Sequence, residues 1–130
     1  MKELAFRLQR GTDLKAFIEQ NCKDINVAVV LSAVGCVYHC HFRLADASKY
    51  YENEADYEIV SLTGTVCDGK AHMHISLADR QGNVIGGHLM EGCLINTTCE
   101  LVLGVLEEYE ASRSFDVNTG YDEIEFKEKK

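Results

Sequence analysis

The sequence predicts an α+β chain built mostly of strands, with one amphipathic helix near the N-terminus. Three observations carry that expectation. Apolar and polar residues alternate over several short stretches, the period of a half-buried strand. Asp68-Gly69 and the segment around Gly82 are turn signals lying between such stretches. Thr12–Cys22 repeats its apolar residues, Leu14, Phe17, Ile18 and Cys22, at helical spacing, with Lys15, Glu19 and Gln20 on the other side.

Each element follows in order. Residues 3–9 alternate as a strand, and Gly11-Thr12-Asp13 stops it. Thr12 suits a helix N-cap, with Asp13 in the first turn. Val27–Val34 is almost continuously apolar and β-branched, which predicts a strand buried on both faces and ended by Gly35. Cys36–Leu44 alternates as a half-buried strand, and the polar residues 46–56 read as a surface loop. Tyr57–Val66 and Lys70–Ala78 form a hairpin around Asp68-Gly69. Asp79–Asn83 turns into Val84–Leu89, where the paired Gly86-Gly87 implies a bulge or a close backbone approach. Residues 97–109 fit either period, and Gly104 with the β-branched residues tips them to strand. Ile124 and Phe126 suit a last strand, followed by a frayed Lys-rich tail.

The 130 residues fit one domain. Thirteen Lys and Arg against twenty-one Asp and Glu give a net charge of −8, which repels phosphate backbones and anionic lipids. No proline is present, and no run reaches the ~20 apolar residues of a membrane span. The first residues mix charges and lack a signal-peptide apolar region, so a cytoplasmic protein is expected. Cys22, Cys36, Cys40, Cys67, Cys93 and Cys99 include no C-x-x-C pair, and several lie in apolar runs, so they read as reduced core thiols.

The chemistry concentrates on one strand. Side chains alternate across Lys70–Ala78, so His72, His74 and Ser76 share one face and Met73, Ile75 and Leu77 the other, the core face. Two imidazoles at i and i+2 can converge on one ion, and His88, beside Gly86-Gly87, can supply a third ligand. Such a site leaves a fourth position for water or a ligand. The alternative is a solvated face with His88 filling a turn. His39 and His41 repeat the H-x-H spacing, but Arg43 on their face opposes a cation, so they read as exposed. Glu91, Glu100 and Ser76 are candidates for hydrogen bonding to the ligand histidines. No G-x-S-x-G, H-E-x-x-H or G-x-x-x-x-G-K-[ST] occurs.

These residues also resemble a family. Tyr57–Thr65, Asp68–Asp79 with its H-x-H, Gly82–Leu89 with Gly-Gly-His, and Glu91-Gly92-Cys93 are similar to the plant-and-prokaryote-conserved (PPC) domain. Arg7-Leu8, Gly11–Leu14 and Thr97–Glu100 fit it too. The likeness runs from about residue 4 to 108, which implies a single domain over 1–130 with its core there and a C-terminal tail at 109–130. It implies an α/β (α+β) fold, a mostly antiparallel sheet with one or two helices, assembled as a homotrimer. It also implies metal binding, with zinc as the cofactor, through His72, His74 and His88. In plants the domain follows AT-hook DNA-binding motifs. This chain lacks their Arg-Gly-Arg-Pro core, so any DNA contact is expected to be weak or indirect. Three roles follow: a regulatory or DNA-associated module, a zinc-dependent hydrolase-like enzyme, and a sensor of a small ligand at the open metal position.

Overall fold

The computed structural model describes residues 1–130. Nine strands and one helix follow in the order β1 (Lys2–Gln9), α1 (Leu14–Asn21), β2 (Val27–Arg43), β3 (Tyr50–Asn53), β4 (Tyr57–Cys67), β5 (Lys70–Ala78), β6 (Val84–Leu89), β7 (Leu94–Val105), β8 (Tyr109–Asp116) and β9 (Tyr121–Glu128). Seven strands form one antiparallel sheet in the order β1-β7-β2-β4-β5-β6, with β3 against β2. The sheet curls until β6 meets the far end of β2, where Arg43 pairs with His88 and Phe42 with Leu89. Strands β8 and β9 make a separate hairpin.

The expected α+β architecture is therefore observed, with a single helix. Helix α1 packs on β5 and buries Leu14, Ile18 and its C-cap Cys22 in the core that Met73, Ile75 and Leu77 also enter. Burying one such aliphatic side chain is worth roughly 1.5–3 kcal/mol. The cap is Asp13 and not Thr12: its Oδ1 accepts from the Ala16 amide at 3.0 Å and its Oδ2 from the Gly92 amide at 2.7 Å. Thr12 is instead held in the backbone network, its carbonyl accepting from Ile95 N at 2.9 Å.

Strand β2 departs from expectation in two ways. It runs through Gly35 without stopping, because a Cβ there would collide with the Thr98 carbonyl and Cys99 of the adjacent β7. A glycine permits this close approach, with a register shift beside it. The apolar run is also not buried on both faces: Leu31 is 46% exposed and Val34 55%. Residues 50–53 form β3 and not loop, since Tyr51 stacks on Phe42 with ring centroids 5.3 Å apart.

The end of the chain is ordered as a hairpin where only a last strand and a frayed tail are expected. Asn26 tethers it by mimicking a strand neighbour. Its Nδ2 donates to the Ala111 carbonyl at 2.8 Å and its Oδ1 accepts from the Ala111 amide at 2.8 Å. Val27, Cys67 and Ala111 make a small second core beneath, with Ile124 packed on it. All six cysteines are unpaired, and all but Cys36 are buried. Burial pushes the Cys93 thiol up to about 12 and Cys99 to about 11, so both remain protonated.

Candidate metal centre

The hairpin β4–β5 turns at Asp68 and Gly69, whose φ values of 49° and 77° suit the tight turn that their dipeptide favours. That turn sets the register of β5. Met73, Ile75 and Leu77 go into the core, and His72 and His74 emerge on the opposite face. Strand β6 then pairs antiparallel with β5 and places His88 directly opposite His74. Gly86 and Gly87 are needed for this. A Cβ at Gly86 would strike the Ile75 carbonyl, and one at Gly87 the Arg43 carbonyl and the Phe42 ring. The ladder continues through both glycines without a bulge.

The three rings consequently converge. Their centroids are 5.7 Å apart for His72–His74, 5.3 Å for His72–His88 and 5.8 Å for His74–His88. One nitrogen from each lies within 4.8 Å of the other two. A tetrahedral zinc with 2.0–2.1 Å bonds needs donors about 3.3 Å apart, within reach of small side-chain rotations. Burial, reinforced by Arg43, pushes His88 down to about 4. Burial, then Arg113 and His74, lowers His72 as well. Both rings are therefore neutral at pH 7, the form that ligates a metal. The His88 Nδ1 is buried and has no hydrogen-bond partner. A lone pair or N–H left so is costly unless something else meets it. Donor type, spacing and this orphaned nitrogen all fit a metal.

The structure does not bring the other expected residues to the cluster. Ser76 shares the face, but its Oγ lies 2.6 Å from Ser61 Oγ. Glu91 is exposed and contributes its carbonyl to His41 Nδ1 at 2.6 Å. Glu100 stands on β7 opposite Arg7 and Val34, separated from β5 by β2 and β4. His39 and His41 are half-buried and not exposed. Their Nδ1 atoms meet the carbonyls of Gly92 and Glu91, each at 2.6 Å, and tie the loop before β7 to β2.

Sequence reasoning missed the residues that flank the cluster. A cavity of about 410 Å³ is walled by His72 and His88 and also by Arg43, Arg113, Asp122 and Glu123. Arg43 belongs here because its register partner is His88. Arg113 and the two carboxylates come from the C-terminal hairpin. The alternation Tyr121–Phe126 after the Gly120 turn is the signal that could have found it.

Comparison with known proteins identifies the family. The Plants and Prokaryotes Conserved (PCC) domain model matches residues 1–107, and the chain belongs to that family. A curated relative, bifunctional protein GlmU of Synechococcus sp. (strain JA-3-3Ab), is 42% identical over 120 residues. The match takes in 91% of this chain, which spans about a fifth (19%) of that relative's length. Among solved structures, a hypothetical protein from Salmonella enterica superposes with TM-score 0.89 at 30% identity, covering 98% of this chain and 94% of its own. A metal-containing protein from Archaeoglobus fulgidus gives TM-score 0.74 at 32% identity, covering 94% and 91%. A protein from Bacteroides thetaiotaomicron, provisionally described as DNA-binding, shares the fold, with TM-score 0.82 at 19% identity over 95% and 91%. No helix is long and apolar enough to cross a membrane.

Proposed function

We propose that the chain is a homotrimeric metal-binding module of regulatory or DNA-associated type, holding zinc through His72, His74 and His88. The observation that carries the metal is the mutual approach of three imidazole nitrogens within 4.8 Å. The metal-containing relative from Archaeoglobus fulgidus supports it. Bound zinc would supply Lewis-acid polarisation of a fourth ligand. The histidines are dispensable for folding on this reading, because the core needs only the Met73 face of β5.

Two features support self-association. Leu31 and Val34 are exposed in an apolar run on the central strand. The accessible surface is 7710 Å², against about 6,900 Å² for a monomer of this mass. Phe115, Val117 and Tyr121 of the C-terminal hairpin are among the exposed apolar residues. A direct DNA role draws on the descriptions of fold neighbours from Bacteroides and Ralstonia, and the net charge of −8 opposes it.

Elemental analysis of zinc-loaded, desalted protein tests the metal. Wild type should hold one zinc per chain, and the His72→Ala/His74→Ala double variant should hold almost none while remaining folded. Equal zinc in both would make the histidines ordinary surface residues.

A further inference from the structure

Three side-chain atoms in the whole chain are buried without a hydrogen-bond partner: Arg43 Nε, Arg113 Nη2 and His88 Nδ1. All three residues line the same cavity of about 410 Å³ beside the histidine cluster. The metal reading already accounts for the His88 nitrogen, which leaves two guanidinium nitrogens. Buried donors are satisfied in nearly all cases, and an orphaned guanidinium nitrogen is costlier than a neutral one. The three come from β2, β8 and β6, distant in sequence, so a shared local irregularity does not account for them.

Charge points the same way. Neither Arg43 nor Arg113 makes an ion pair. Arg113 spends one amino group on the Asp122 carbonyl, at 3.1 Å. The metal ligands are three imidazoles with no carboxylate among them. Asp122 and Glu123 on the cavity wall offset the two guanidiniums at most. A divalent ion at the cluster then has no counter-charge from its own ligands. An oxyanion beside Arg43 and Arg113 supplies that counter-charge. It can occupy the metal's fourth position and accept from forked guanidinium donors, which suit carboxylate and phosphate geometry. The cavity falls in the range of small-molecule sites, about 300–1,000 Å³.

We propose that the open position of the three-histidine centre receives a small molecule through its oxyanion, a carboxylate or phosphate group, paired with Arg43 and Arg113. The inference rests on the metal reading and deepens it: the module responds to a small anionic metabolite, with the C-terminal hairpin as one wall of the ligand site.

Cobalt(II)-substituted full-length protein tests this, because its visible d–d spectrum reports the fourth ligand. Inorganic phosphate and malonate are titrated separately, and preference between them distinguishes the phosphate from the carboxylate source. Wild type should show a saturable spectral change with at least one. Arg43→Gln and Arg113→Gln should each raise the apparent Kd at least tenfold with cobalt stoichiometry unchanged. Should a Gln variant lose cobalt, Arg43→Lys and Arg113→Lys, which keep the charge but not the fork, should still bind cobalt and still weaken the anion. Full cobalt with no anion response, or the same response in wild type and all arginine variants, overturns this inference alone. Failure of the wild type to take up cobalt overturns the metal reading and this one together.

Discussion

His74 and His88 are register partners across the β5–β6 ladder, with ring centroids 5.8 Å apart. The pairing depends on Gly86 and Gly87, which let β6 approach both β5 and the end of β2. Two backbone positions without side chains therefore decide whether three imidazoles meet. Gly87→Ala would push the new methyl against the Arg43 carbonyl and the Phe42 ring. It should lower stability by about 1–3 kcal/mol, the usual range for overpacking. It should also reduce metal affinity more than a comparable change at Gly82, where a Cβ meets nothing within 4 Å. Parallel denaturant melts and metal titrations of the two variants check this.

Self-association has a simple readout. Sedimentation at micromolar concentration should give about three times the 14.6 kDa chain mass. Leu31→Asp or Val34→Asp, at exposed apolar positions on β2, should shift the mass toward the monomer. A monodisperse wild-type monomer would remove the trimer.

The hairpin should come loose when its tether is cut. Asn26→Ala removes two hydrogen bonds to Ala111 and one to Asp68. Amide hydrogen exchange in β8 and β9 should accelerate by one to two orders of magnitude, while the amides of β5 and β7 keep their protection. Uniform loss of protection would show that the hairpin is integral to the core.

Glu19 gives a pH dependence with a definite sign. Burial alone would raise its carboxyl, but the Ala71 amide at 2.9 Å and Lys15 at 3.0 Å together outweigh burial and hold it below its ordinary value. A carboxylate depressed in the folded state stabilises above its unfolded value, near pH 4.5, and that stability is lost as pH falls through the folded value. Glu19→Gln should therefore cost about 0.5–1 kcal/mol at pH 7, given the partial exposure of the site. The gap should close below pH 4.5. A gap independent of pH in urea melts would show that Glu19 acts through packing and not through charge.

DNA binding by this chain alone should be weak. At physiological salt a fluorescent duplex should show no saturable binding in the nanomolar range, because −8 net charge opposes phosphate contacts. Nanomolar affinity for a defined site would assign the domain a direct role in DNA recognition.

Much of this was legible because its causes are local. Strand β5 runs from Lys70 to Ala78 as the alternation and the Asp-Gly turn require, so the facing of His72 and His74 followed directly. His88 was reachable because β6 is the next strand in sequence and in space. What escaped depends on distant contacts. The passage of β2 through Gly35 is decided by β7, about 60 residues later in the chain. Thr12 suits the cap of α1 by sequence, but the cap goes to Asp13, whose carboxylate also accepts from the distant Gly92 amide, while Ile95 N holds the Thr12 carbonyl. Arg43 seemed to belong with His39 and His41, because alternation takes no account of which strand closes the sheet. Arg113 and the cavity wall were hidden because the hairpin gains its position from Asn26, 85 residues from Ala111.

The most direct test of the central claim is an anomalous difference map at the zinc absorption edge, from crystals of zinc-supplemented protein. The account predicts one strong peak per chain, about 2.0–2.1 Å from one ring nitrogen each of His72, His74 and His88. A fourth ligand should stand on the side of Arg43 and Arg113. A map with no peak at these histidines, or with its peak at His39 and His41, would contradict it.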